Sequence, residues 1–146
     1  AHFDFWQPEL EEYFHPSGVH IMVSRHCHPG GAYGYRISDG GKTLVYCSDV
    51  EHADGIDANV VRLARDADLL IHDAQYTPEE LKEKKGWGHS SWVEAVEVAE
   101  AAGVKRLALF HHDPDHDDNF IAAMKSQCRN RFPAAFFARE GEEITL

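Results

Sequence analysis

The chain has little cysteine, little basic charge and no long apolar run, and each absence narrows its function. Its three cysteines, Cys27, Cys47 and Cys128, include no C-x-x-C pair, and their odd number fits poorly with a disulfide framework. A reducing cytoplasm is therefore the expected compartment. No apolar run reaches the length that crosses a membrane, so we expect no membrane partner. Residues 1–6 lack the basic and then apolar layout of a signal peptide, and the missing initiator Met is compatible with trimming or excision from a longer protein.

Acidic residues outnumber basic ones, with 25 Asp plus Glu against 14 Lys plus Arg and a formal net charge of -11. Such a chain repels polyanions at long range, which argues against broad electrostatic binding of nucleic acid or acidic membranes. A small phosphate ester could still bind at a metal ion. The charge therefore favours a small phosphodiester or related ester over nucleic acid as the partner.

The hydrophobic pattern predicts an α/β fold. With 146 residues, 43% of them hydrophobic, the chain can bury one core, and we expect residues 1–146 to form a single domain. Three strands read as a meander, after which helical and strand patterns alternate. Capping boxes at Thr77 and Ser91 mark two helix starts, and a further helix begins at Asp117. The predicted strands are 19–27, 32–38, 42–48, 68–72, 106–110 and 134–138.

Three residues with metal-binding side chains follow predicted strands. His28, Asp49 and His111 each stand at or just beyond a strand end, where an α/β scaffold can bring side chains to one point. Imidazole and carboxylate suit zinc, manganese and iron, and a carboxylate can bridge two such ions. Three ligands cannot hold two metals, so the remaining ligands must come from elsewhere.

Five segments in order resemble the C-terminal half of the metallo-β-lactamase-fold metallohydrolases. They are 28–36 (HPGGAYGYR), 46–52 (YCSDVEH), 70–76 (LIHDAQY), 88–91 (GHSS) and 110–114 (FHHDP). The similarity is greatest to the phosphodiesterase-like branch, which includes cyclic-phosphate phosphodiesterases and the tRNA 3′-end endonuclease.

That resemblance implies one βα half of an αβ/βα sandwich, a mixed sheet with helices on one face. It makes His28 a ligand of one metal, Asp49 the bridging carboxylate and His111 a ligand of the other. His89 matches the histidine that contacts the phosphate and protonates the leaving group. Two divalent ions, zinc or manganese or else iron, are implied for the complete site.

The chain departs from that family because the H-x-H-x-D-H motif, which supplies the other four ligands from the N-terminal half, is absent. The sequence His26-Cys27-His28 gives H-x-H, but Pro29-Gly30 follows it. The segment 111–116 (HHDPDH) is rich in ligand types, yet Pro114 interrupts any helix that could align them.

Each candidate also has a simpler structural interpretation. Asp49 could be a turn former, and His89 a loop residue before a capped helix. His72, Asp73 and His112 are candidates for orienting the ligands, and a hydrogen bond at a strand end explains His72 and Asp73 equally well. Trp87 and Trp92, which flank His89, could wall a pocket, but we favour packing of a helix start onto the sheet. The three cysteines are expected to be core residues.

These patterns predict a metal-dependent hydrolase that cleaves a phosphodiester in the complete protein, with this chain supplying part of the site and inactive alone. Cleavage of an ester, lactone or thioester by the same fold stays open. The alternative function is a non-catalytic half-domain that associates with a partner, in cis or in trans, or with itself through an exposed apolar sheet face.

Overall fold

The computed structural model describes residues 12–146, and the expectation for residues 1–6 lies outside them. Seven strands and four helices follow one another along the described chain. The strands are β1 (Glu12–Phe14), β2 (His20–His26), β3 (Ala32–Asp39), β4 (Lys42–Cys47), β5 (Leu69–Asp73), β6 (Leu107–Phe110) and β7 (Ala135–Phe137). The helices are α1 (Ala58–Ala64), α2 (Pro78–Glu83), α3 (Trp92–Ala102) and α4 (Asp118–Arg131).

The strands form one mixed sheet in the order β1-β2-β3-β4-β5-β6-β7. The pairs β1–β2, β2–β3 and β3–β4 are antiparallel, and the pairs β4–β5, β5–β6 and β6–β7 are parallel. Because β2 and β4 are both antiparallel to β3, they run in the same direction as β5 and β6. The C-terminal ends of β2, β4, β5 and β6 therefore lie at one edge of the sheet, which we call the C-terminal edge.

The helix boundaries follow the capping residues in the sequence. Thr77 and Ser91 form complete capping boxes with Glu80 and Glu94, and Pro78 occupies the first position of α2. Gly103 ends α3 in the left-handed conformation with φ of 66°. The predicted helix and strand order is confirmed, with β1 as an additional strand.

The helices cover one face of the sheet. Alternate strand residues such as Val45, Leu70 and Leu109 are fully buried there beneath α1 and α3. The intervening residues point to the opposite face, where Tyr33, Tyr35 and Phe110 are exposed, and no helix within residues 12–146 packs over them. This is the mixed α/β sheet with helices on one face that the resemblance implied.

Two of the three cysteines are core residues as expected. Cys47 and Cys128 are buried, and burial raises the pKa of their thiols to about 12 and about 11. The expectation for Cys27 is wrong because this residue follows the end of β2, where the chain leaves the sheet and the side chain is exposed. Within residues 12–146, no helix has the combined length and apolarity needed to cross a bilayer.

Candidate metal centre

Five of the predicted site residues lie at the C-terminal edge of the sheet. His28 lies two residues after β2, Asp49 two residues after β4, and His111 directly after β6. Asp73 is the last residue of β5, between β4 and β6 in the sheet. His89 reaches the same place from the loop that precedes α3.

Two of these residues have strained backbones. Asp49 and His111 have positive φ angles of 57° and 62°, and in the described chain the only other non-glycine residue of this kind is Asp66. A left-handed residue costs roughly 1 to 3 kcal/mol and is common at functional sites. Here the left-handed turn follows a strand end, at the point where the chain leaves the sheet at the C-terminal edge.

The side chains converge in two overlapping groups. His28, Asp49 and His89 offer ligand atoms that all lie within 4.8 Å of one another, and so do Asp73, His89 and His111. The Nε2 atom of His111 lies 3.9 Å from Oδ1 of Asp49, which connects the two groups. Ligands on one zinc ion lie about 2.1 Å from it and hence no more than about 4 Å apart, so small adjustments would place these donors on a metal.

Asp73 is the buried centre of the arrangement. Its side chain is fully buried, and Oδ2 lies 2.8 Å from Nδ1 of His89. Oδ2 also accepts the backbone N–H of Asp49, while Oδ1 accepts those of Gln75 and Ser90. A buried carboxylate is stable only when it is this well bonded. Asp73 thus fixes both the His89 ring and the backbone of Asp49.

The hydrogen bond that His89 donates to Asp73 shifts the pKa of His89. This bond raises the pKa of His89 above its ordinary value, against the opposing effect of partial burial, and the charges of Asp49 and Glu51 add to the increase. Nδ1 of His89 faces Asp73, which leaves Nε2 available to a substrate or a metal. The ring also stacks on His111 at a centroid distance of 4.7 Å.

Glu51, which the sequence analysis did not single out, organises the loop before His89. Its carboxylate is nearly buried and accepts the N–H groups of Gly86 at 2.6 Å and Gly88 at 2.9 Å. The position of Glu51 two residues after Asp49 could have drawn attention to it. Its role could not be predicted, because a carboxylate that accepts hydrogen bonds from loop amides follows no recognisable sequence spacing.

The other candidates lie away from the two groups. The Nδ1–H of His72 donates to the backbone oxygen of Asp73, and its ring stacks on His52 on the helix face of the sheet. His52 is itself buried. His112 stacks on Phe137, and His26 bonds the backbone oxygen of Ser48. Of the three predicted orienting residues, only Asp73 bonds a candidate ligand.

The segment 111–116, which is rich in metal-binding residue types, has a structural role. Asp113 pairs with Lys84 at 3.0 Å, and Nε2 of His116 lies 2.8 Å from Glu80, so both residues bind the segment to α2. Neither belongs to a ligand group found in residues 12–146. The segment therefore anchors the loop that begins at His111.

The residues present fit a metal ion as part of a ligand set. They are imidazoles and carboxylates, the donors that zinc and manganese accept in proteins. Nδ1 of His111 is buried and has no hydrogen-bond partner, a cost that a metal or a substrate group would remove. Three candidate ligands shared between two ions nevertheless leave each ion short of four protein donors.

A mixed sheet with candidate metal ligands at its C-terminal edge is an arrangement typical of α/β metalloenzymes, and known proteins show which family it resembles. Residues 11–112 match the family described as the beta-lactamase superfamily domain. The chain belongs to this superfamily, and its fold is that of the metallo-β-lactamases. The resemblance to the metallo-β-lactamase-fold hydrolases is thereby confirmed.

Three known proteins show how similar this chain is to other members of the fold. Ribonuclease Z of Gemmatimonas aurantiaca is 36% identical over 106 residues, a match that covers 73% of this chain and 32% of that protein. The metallo-β-lactamase fold protein YhfI of Bacillus subtilis superimposes with a TM-score of 0.73 at 22% identity, covering 94% of this chain and 53% of that one. Zn²⁺-bound PqqB of Methylobacterium extorquens gives a TM-score of 0.64 at 16% identity, covering 93% and 50%.

Two points follow from these matches. The chain spans about a third of the length of the ribonuclease Z that it matches. The name of that relative refers to RNA, so the expectation that nucleic acid is an unlikely partner is not supported. Net charge argues only against long-range attraction and says nothing of contacts at the site.

Proposed function

We propose that this chain supplies the C-terminal half of a dinuclear metal site that hydrolyses a phosphodiester. The observation that supports this best is the convergence of His28, Asp49 and His111 around a His89 ring that is bonded to buried Asp73. The ribonuclease Z similarity favours phosphodiesters over carboxylic esters, lactones and thioesters. The Zn²⁺ in PqqB supports zinc, with manganese and iron as the other ions that suit these donors.

The metal ligands would be His28 for one ion, His111 for the other and Asp49 between them. When bound, two divalent ions lower the pKa of water toward neutrality and neutralise charge on phosphoryl oxygens. The protein's own task is then to place its donors, and the strained turns at Asp49 and His111 hold them at the C-terminal edge.

His89 would protonate the departing alkoxide. Asp73 accepts the Nδ1–H, so the second proton of the imidazolium resides on Nε2, the atom that is left to face the substrate. Asp73 raises the pKa of His89, which favours the imidazolium form that can donate this proton. Asp73 is a positioning residue, because it acts through His89 and Asp49.

The remaining ligands would come from an N-terminal half that carries H-x-H-x-D-H. The exposed aromatic face around Tyr33, Tyr35 and Phe110 is where such a half would pack, since large apolar patches are rare on an isolated monomer. The chain alone is accordingly expected to be a weak metal binder and a poor catalyst.

The test compares four proteins in hydrolysis of bis(p-nitrophenyl) phosphate with added zinc or manganese. They are this chain, a protein extended by the N-terminal half, and the Asp49→Ala variant of each. Activity is expected only in the extended protein and should disappear with Asp49→Ala. Robust hydrolysis by this chain, lost on Asp49→Ala within it, would show that residues 1–146 assemble a working site.

The exposed aromatic face supports a second candidate, a non-catalytic half-domain that binds a partner or itself. Size-exclusion chromatography with light scattering, combined with metal analysis, separates the two functions. A metal-free dimer that has no activity after addition of the N-terminal half would favour the second. A monomer with two tightly bound metals per chain would exclude the half-site altogether.

A further inference from the structure

Trp87 is an exposed aromatic residue beside the candidate metal centre. It is 63% exposed, whereas Trp92 is nearly buried at the start of α3. The packing role that we favoured for both tryptophans therefore fits Trp92 and is wrong for Trp87. Gly86 and Gly88 flank it with φ of 85° and 94°, so the backbone on both sides is left-handed.

The backbone around Trp87 is fixed by hydrogen bonds. The two oxygens of Glu51 accept the N–H groups of Gly86 and Gly88, and the N–H of Trp87 itself donates to the Lys84 oxygen at 3.2 Å. Three successive amides are thus bonded. An indole on such a segment loses little backbone entropy when it binds a ligand, which is the advantage of preorganisation.

The segment also lies directly against a candidate ligand. A Cβ atom added to Gly88 would stand 2.3 Å from Cδ2 of His28 and 2.8 Å from Cδ of Pro29. Trp87 is attached one residue before this contact and two residues before His89. Trp87 therefore belongs to the segment that borders the place where a scissile phosphate would bind, and its indole is largely exposed.

Substrate affinity at this edge has to come from short-range contacts. A net charge of -11 gives an anionic substrate no long-range attraction. Stacking of a base on an aromatic ring does not depend on charge and contributes roughly 1 to 3 kcal/mol per base, equivalent to roughly 5- to 150-fold in affinity.

We propose that Trp87 stacks on the nucleobase next to the scissile phosphate and so favours nucleoside phosphates over other phosphate esters. This inference rests on the proposed function, because the phosphate must bind at the metal centre. Trp87 determines specificity and takes no part in bond cleavage.

The test is an equilibrium titration of the full-length, metal-loaded protein with adenosine 5′-monophosphate and with ribose 5-phosphate, which lacks the base. The wild type should bind the nucleotide more tightly. Trp87→Ala should weaken nucleotide binding roughly 5- to 150-fold and leave ribose 5-phosphate unchanged, while Trp87→Phe should retain most of the difference. Phe14→Ala is the matched control, because Phe14 is similarly exposed but lies near the opposite end of β2 from His28.

Three outcomes overturn the inference. The wild type could bind both ligands equally or neither of them, or Trp87→Ala could weaken both to the same extent. A lower melting temperature of Trp87→Ala with an unchanged affinity ratio would mean that Trp87 packs against another part of the protein. Nucleotide discrimination is measured without turnover, so a protein that discriminates but hydrolyses no phosphodiester would refute the proposed function and leave the stacking role intact.

Discussion

Oδ2 of Asp73 lies 2.8 Å from Nδ1 of His89, and the Asp73 side chain is fully buried while His89 is partly open to the C-terminal edge. The same carboxylate holds three backbone N–H groups, from Asp49, Gln75 and Ser90. One side chain therefore connects the end of β5 to the turn after β4 and to the loop before α3. This links the fold to the chemistry, because a shift of Asp73 moves two site residues together.

Replacement of Asp73 should affect turnover through this connection. Asp73→Asn keeps the shape but removes the charge that holds the His89 imidazolium, and its amide N–H₂ cannot accept the backbone N–H groups. In the full-length protein we expect kcat to fall by roughly 10- to 100-fold, as for other groups that orient site residues. Asp68→Asn is the control, since Asp68 pairs with surface Lys105 away from the site. Equal kinetics for the two variants would exclude a positioning role for Asp73.

His89 itself should matter for turnover more than for metal retention. We expect His89→Ala to lower kcat by roughly 10²- to 10⁴-fold in the metal-loaded, full-length protein, the range usual for a general acid. Metal content, measured by atomic emission, should stay unchanged. A substrate with a very good leaving group should lose less, because its alkoxide needs no proton. Loss of metal would instead make His89 a ligand, a role compatible with its place in both ligand groups.

The sequence predicted the order of strands and helices because local signals determine them. Capping boxes at Thr77 and Ser91 and the turn glycines are readable residue by residue. The convergence of His28, Asp49 and His111 was predictable from strand ends and from family resemblance. Asp73 and Glu51 were harder to assign, since their function depends on backbone N–H groups that come together only in the folded chain. The exposure of Trp87 likewise depends on loop conformation.

We expect any side chain at position 88 to clash with its surroundings. Gly86, which has free space around it, provides the control. Gly88→Ala forces a left-handed alanine, and its Cβ meets His28 and Pro29 at 2.3 Å and 2.8 Å. Gly86→Ala imposes similar backbone strain, roughly 1 to 2 kcal/mol, but has nothing within 4 Å. Both variants should lose stability in thermal unfolding. Only Gly88→Ala should also lower metal affinity, by roughly 10- to 100-fold in a calorimetric titration, because His28 must move. Equal metal affinities would show that His28 is not a ligand or that the loop yields.

The buried His52 should make the stability of the protein depend on pH. Burial, with smaller contributions from the nearby His72 and His26 rings, lowers the pKa of His52 to about 3, and the Asp57 N–H donates to its Nδ1. The folded protein thus keeps His52 neutral, whereas the unfolded chain binds a proton below its ordinary pKa of about 6.5. The stability is fully present above pH 6.5 and is lost as the pH falls toward 3, by up to about 1.4 kcal/mol per pH unit for one such group.

Thermal unfolding between pH 8 and pH 5 measures this loss. His52→Asn leaves a side-chain acceptor for the Asp57 N–H and removes the titrating ring, so its melting temperature should fall less than that of the wild type as the pH drops. Some dependence should persist, because burial also lowers the pKa of His26 and of His72. His15→Asn is the control, since His15 is exposed and its removal should leave the wild-type slope. Parallel curves for wild type and His52→Asn would mean that His52 takes up its proton in the folded protein as readily as in the unfolded chain, and that its burial does not hold it neutral.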